Sequence, residues 1–180
     1  AVSSAAFYPA EQQIISATLG GTVRTASFSV KDKRVDTVEI FPARGGSVQD
    51  LAVEPNGRYI VTVTRDNAGR LFDFEGNLLR ELFKIDTTYG FAESVAINPR
   101  LDQIAVATRN GGALLWNAPL VSNGNGINLS SSRTANLVRF SPNGYKLAVI
   151  RDTLLQIYAN RRVVLTNHQF ESNITAIAFN

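Results

Sequence analysis

Three arginines stand directly before an acidic or amide residue: Arg65-Asp66, Arg109-Asn110 and Arg151-Asp152. A guanidinium offers five N–H donors in a planar fork, so it pairs bidentately with carboxylates and phosphates. Three of them at equivalent places would form a receptor for an anionic partner. The choice of cation fits that chemistry. Of 18 basic residues only Lys31, Lys33, Lys84 and Lys146 are lysines, and the net charge is +3. Catalytic chemistry has no comparable foothold. The single histidine, His168, has no Ser or carboxylate at a recognisable motif spacing. With no Cys there is no thiolate nucleophile and no thiolate metal site. Asp66, Asp73 and Asp152 sit where turns or strand ends are expected, a place where Asp commonly satisfies backbone donors. "DNAGR" at 66–70 lacks the ligand ladder of a calcium loop. "SNGNG" at 122–126 is not followed by Gly-Lys-Ser/Thr and so cradles no phosphate. The residues assemble no catalytic site, metal site or cofactor site.

Placing side chains equivalently requires a repeating scaffold, and the sequence contains one. "EPNGRYIVTVTRD" at 54–66 is echoed by "SPNGYKLAVIRD" at 141–152. "FYPAEQQIISATLGG" and "INPRLDQIAVATRNGG" keep the same cadence, and Pro9, Pro55, Pro99 and Pro142 are 46, 44 and 43 residues apart. Each unit opens on a short apolar run ("LAV", "VAI", "LVRF") and turns at the proline. A β-branched run follows ("IISAT", "YIVTVT", "IAVAT", "LAVI"), then a second turn and a third run ("RLFDF", "ALLWN", "LLQIY"). The fourth run is weaker, as in "NLLRELF". Helical periodicity is absent, and Gly and Asn supply the turns. Four short strands in about 45 residues is the content of a propeller blade. The units run 1–46, 47–92, 93–134 and 135–172, with 173–180 as the first strand of a fifth, in one segment over 1–180.

Composition agrees with a packed β domain. Hydrophobic residues make up 44% and charged residues 18%, the balance of a core former. No apolar run reaches the roughly 18 residues of a membrane helix. "AVSSAAFYPA" lacks the layout of a signal peptide and an initiating Met, so the start reads as processed or cut. Absence of cysteine fits a reducing, cytoplasmic compartment.

On these residues the chain resembles the WD-repeat β-propellers along its whole length. "RFSPNG" at 139–144 is similar to the family's Phe-Ser-Pro triplet and turn. Phe72-Asp73 stands where the family's Trp-Asp dipeptide closes the third strand. The register is consistent, because Asp66 to Phe72, Asn110 to Trp116 and Asp152 to Tyr158 are each six apart. Departures are also plain: only Trp116 is a Trp, and Ala26 stands at its place in the first unit. In the fourth unit the step from Pro142 to Asp152 is ten where the second and third take eleven. These departures lead us to expect that the internal hydrogen-bond networks of the blades are mostly lost.

The resemblance implies an all-β propeller of four four-stranded antiparallel blades. It would be part of a longer propeller, completed by blades from the same or another chain. It also implies structural roles for Phe72, Trp116, Tyr158, Asp66, Asp152 and His168. The family's partner-binding face corresponds to Arg65, Arg109 and Arg151 together with Gln49, Glu93, Asn136 and Thr175 early in the innermost strands. The expected function is a non-enzymatic scaffold or sensor that offers this arginine-bearing rim to an acidic protein or peptide. Nucleic-acid or phosphate recognition by the same rim ranks second, since no aromatic platforms are interleaved with the arginines. A propeller enzyme with its active site in further blades ranks third.

Overall fold

The structure, a computed structural model, describes residues 1–8, 12–117, 126–129 and 134–179, with the side chains of 36–39 and 166–169 outside that set. The first sheet comprises β1 (Val2–Tyr8), β2 (Gln13–Thr18), β3 (Thr22–Ser29) and β4 (Arg34–Pro42). The second comprises β5 (Val48–Val53), β6 (Ile60–Thr64), β7 (Ala68–Phe72) and β8 (Leu78–Lys84). The third holds β9 (Ala92–Ile97), β10 (Gln103–Thr108), β11 (Gly112–Asn117) and the short β12 (Ile127–Asn128). The fourth holds β13 (Leu137–Phe140), β14 (Lys146–Arg151), β15 (Leu154–Ala159) and β16 (Arg162–Gln169). Every sheet is an antiparallel meander in chain order. One 3-10 turn at Thr87–Tyr89 is the helical content of the described residues. The chain is therefore all-β, in four-stranded sheets of the kind that make propeller blades.

Strand composition explains the layering. β6 (IVTVT) and β7 (AGRLF) are buried at every position, so both faces of the middle strands are covered and alternation disappears. β8 (LLRELFK) begins with alternating exposure, as an outer strand does. The chain divides into two compact units, Ala1–Lys84 and Ile85–Asn180. In the first, Ile15, Ala17 and Val23 of one sheet meet Val48, Leu51, Ile60 and Phe72 of the next. In the second, Ala105, Ala107 and Leu115 meet Val138, Leu147, Val149 and Tyr158. Each unit thus buries its apolar residues between two stacked sheets.

The segment expected to begin a fifth unit, 173–180, is not in a strand among its described residues. Residues 173–179 pair with no strand; Ile174 donates its N–H to the Asp152 carbonyl at 2.8 Å.

The two Pro-Asn-Gly turns acquire a reason. Gly57 and Gly144 sit at φ of 70° and 69°, in the region that favours glycine. A Cβ on Gly57 would run into the Tyr8 ring, and one on Gly144 into the Asn98 amide. Tyr8 and Asn98 each precede the proline of the preceding repeat (Pro9 itself lies outside the described residues). Tyr8 Oη donates to the Gly57 carbonyl at 3.4 Å, and Asn98 Nδ2 to the Gly144 carbonyl at 2.9 Å. The same stitch joins the sheets of both units. Gly57→Ala and Gly144→Ala are each expected to cost at least about 1–2 kcal/mol from the left-handed backbone alone. Chemical denaturation measures this, and a neutral effect at both would dismiss the stitch.

Candidate functional site

Ladder register fixes which residues are equivalent. Ile14, Ile60, Ile104 and Leu147 of the second strands lie opposite Ala26, Phe72, Trp116 and Tyr158. Counting on from them, Thr18, Thr64, Thr108 and Arg151 share one place at the strand's end. Three turn residues follow in the first three sheets: Leu19-Gly20-Gly21, Arg65-Asp66-Asn67 and Arg109-Asn110-Gly111. The fourth sheet pairs Arg151 with Leu154, leaving only Asp152-Thr153 between them.

Arg151 is thereby corrected. The residue missing from the ten-residue step is missing from the turn, so Arg151 is drawn back into β14 at the threonine place. It is half-buried, and its Nη2 donates to Tyr158 Oη at 3.1 Å. Arg65 and Arg109 are exposed and open their turns. Arg109 is held in an intrachain ion pair, its Nε donating to Glu93 Oε1 at 2.8 Å. That pair lies at the surface, with the arginine side chain 64% exposed.

The innermost-strand candidates are positioned by a repeated irregularity. The β5–β6 ladder shifts between Val48 and Asp50, and the β9–β10 ladder at the matching step, leaving Gln49 and Glu93 as the extra residues. A bulge re-aims its side chain, and at Glu93 it brings the carboxylate to Arg109, which opens the following turn. Backbone bonds bind turn to strand: Arg65 N–H donates to the Ser47 carbonyl and Arg109 N–H to the Phe91 carbonyl, both at 2.9 Å. Asn136 holds the related place in the fourth sheet, and its Oδ1 accepts the Asp152 N–H at 2.7 Å. Thr175 is exposed and outside any strand.

A network that the sequence did not announce supports the second turn. Thr64 Oγ1 donates to Asp66 Oδ1 at 2.6 Å and accepts from Arg70 Nη1 at 2.8 Å. Asp66 also accepts the Ala68 N–H at 3.2 Å and pairs with Arg70 Nη2, which reaches Glu81 Oε2 at 3.1 Å. Burial pushes the Asp66 carboxyl up, but hydrogen bonds from Arg70, Thr64 and Ala68 outweigh it and hold it below its ordinary value. Expecting the networks to be mostly lost was wrong here, because Arg70 replaces the partners that the repeat lacks. Thr108 does a reduced version of the same work, donating to the Gly112 carbonyl at 3.0 Å and accepting the Gly111 N–H at 3.1 Å. The legible signal was the Thr that closes "SAT", "TVT" and "VAT".

Phe72, Trp116 and Tyr158 are all buried. Asp152 adopts a φ of 50° in its short turn. His168 belongs to β16, and its side chain lies outside the described residues. Among the described residues no group of three His, Asp or Glu side chains could hold a metal ion. No helix of the described residues is long and apolar enough to cross a membrane.

Residues 36–73 match the family model of the WD domain, G-beta repeat. The match begins in β4, passes through β5 and β6, and ends on Phe72-Asp73 after β7. That stretch is similar to a WD repeat, and the other sheets repeat its strand order. Repeats of this family serve in general as protein-interaction scaffolds. No curated protein matches the chain.

Proposed function

We propose that the protein is a non-enzymatic interaction scaffold whose second and third sheets each offer an acidic protein or peptide an exposed turn arginine, Arg65 in the one and Arg109 beside Glu93 in the other. The observation that carries this reading is the Arg109–Glu93 pair. It occupies only Nε, and among the described residues the two Nη atoms of Arg109 have no partner. An exposed pair of this kind contributes about 0–1 kcal/mol, so it aims the guanidinium outward at little cost to exchange. A partner carboxylate can take the Nη edge bidentately while Glu93 keeps the side chain extended. A cytoplasmic setting accords with the cysteine-free sequence.

The test is a double Arg65→Ala/Arg109→Ala variant of the full chain, titrated against partners recovered by affinity capture. Stability should stay within roughly 0.5 kcal/mol per site, as at other surface positions. Affinity for an acidic partner should fall at least about tenfold, or 1.4 kcal/mol. Undiminished binding to every recovered partner would overturn the assignment.

A further inference from the structure

At the other end of the second unit's strands, away from Arg109, lies a groove of about 390 Å³. Its floor is apolar: Leu115, Leu147 and Tyr158, with Phe140 and Leu129 packed against the same core. Its mouth is different. Lys146 and Arg161 line it, and Arg100 lies 4.6 Å from the centre of the Tyr145 ring, which also lines it. Among the described residues no carboxylate lines it, although Asp102 follows Leu101 in the neighbouring turn. Leu101 and Tyr145 are 50% and 56% exposed at the rim.

The cations are held there by backbone geometry. Lys146 starts β14 opposite Ala159. Asn160 and Arg161 both have positive φ, 49° and 63°, in the two-residue hairpin between Ala159 and Arg162. That primed turn matches the twist of the flanking strands and fixes Arg161 at the groove's edge.

We propose that this groove docks a short acidic peptide, with one large apolar side chain seated on the leucine floor and flanking carboxylates facing Lys146, Arg161 and Arg100. Charge complementarity selects the occupant. A cationic rim around an apolar floor favours an apolar anchor between acids, and the volume falls within the roughly 300–1,000 Å³ of ligand sites. A nucleic acid would bring phosphates for the rim but needs flat stacking platforms, and among the described residues Tyr145 is the one exposed ring lining this mouth.

Fluorescence polarisation of the full chain with a labelled peptide of one Leu between runs of Glu tests this. Binding should weaken at least tenfold in Lys146→Glu/Arg161→Glu. It should weaken similarly for Leu101→Ser and for a peptide with Ser in place of Leu. Arg109→Ala should leave it unchanged, which separates this groove from the turn surface proposed above. Absence of binding at millimolar peptide, or equal binding by the charge-reversed variant with an unaltered melting transition, overturns the proposal. So does tighter binding of a labelled thymidine oligonucleotide with the same dependence on Lys146 and Arg161.

Discussion

Asp66→Ala is expected to destabilise the protein by about 3 kcal/mol. The Arg70 side chain is 9% exposed, and its charge is held by Asp66 on one side and Glu81 on the other. Removing one partner of a buried pair typically costs about 3–5 kcal/mol, because the remaining charge stays desolvated. The lower end applies, since Asp66 is itself 33% exposed and Glu81 remains. Thr64 Oγ1 and the Ala68 N–H also lose an acceptor, adding to the loss. Adding Arg70→Met to Asp66→Ala should recover most of the stability, because the buried charge then disappears. Urea denaturation of the two variants decides the matter. A single-variant cost below about 0.5 kcal/mol would mean that Arg70 is adequately solvated without Asp66.

The same network gives a pH dependence with a definite sign. Asp66 has a folded pKa below its ordinary value, so its contribution is complete above the ordinary carboxylate range, about 4. That contribution is lost as pH falls through the depressed folded value. Glu54 behaves alike: burial pushes it up, and hydrogen bonds from Arg58 and Asn56 outweigh the burial. Wild type should therefore lose stability on acidification more steeply than Asp66→Ala, which has one such carboxylate fewer.

What the sequence revealed and what it hid divide along physical lines. Short β-branched runs between Pro-Asn-Gly and Gly-Gly turns depend on local chemistry, so the four sheets and their order were legible. The places of Phe72, Trp116 and Tyr158 followed from the same spacing, since a strand residue's neighbour across a hairpin is fixed by counting from the turn. Counting fails where a turn changes length. Arg151 aligned with Arg65 and Arg109 in sequence, yet one residue fewer in the turn moved it into the strand. Contacts between neighbouring sheets were also out of reach. Nothing in "SPNG" tells that Asn98, more than forty residues earlier, will donate to the Gly144 carbonyl. Arg70 was invisible for another reason: an Arg in a strand reads as exposed until the Asp and Glu that neutralise it are known to flank it.

Truncating the third-strand aromatic is expected to have the largest effect, about 3–5 kcal/mol for Phe72→Ala and for Trp116→Ala. Both side chains close a third strand opposite an isoleucine, Ile60 or Ile104, that is fully buried. Phe72 is 0% exposed and meets the Phe41 ring with centroids 5.4 Å apart. Trp116 is covered by Gly126, where any Cβ would lie within 2.6 Å of the indole. Neither site can collapse easily, because strands hydrogen-bonded on both sides hold the cavity open. The first sheet shows the alternative: Ala26 stands at this place opposite Ile14, and both are only half-buried. Alanine is tolerated where the face is open, whereas at Phe72 it leaves a void between two sheets. Thermal unfolding of the two variants measures the difference, and adding Ala26→Gly as a third should show a loss nearer the 1 kcal/mol typical of glycine in a strand. A cost below about 1 kcal/mol at Phe72 or Trp116 would mean that the aromatic series does not hold the sheets together.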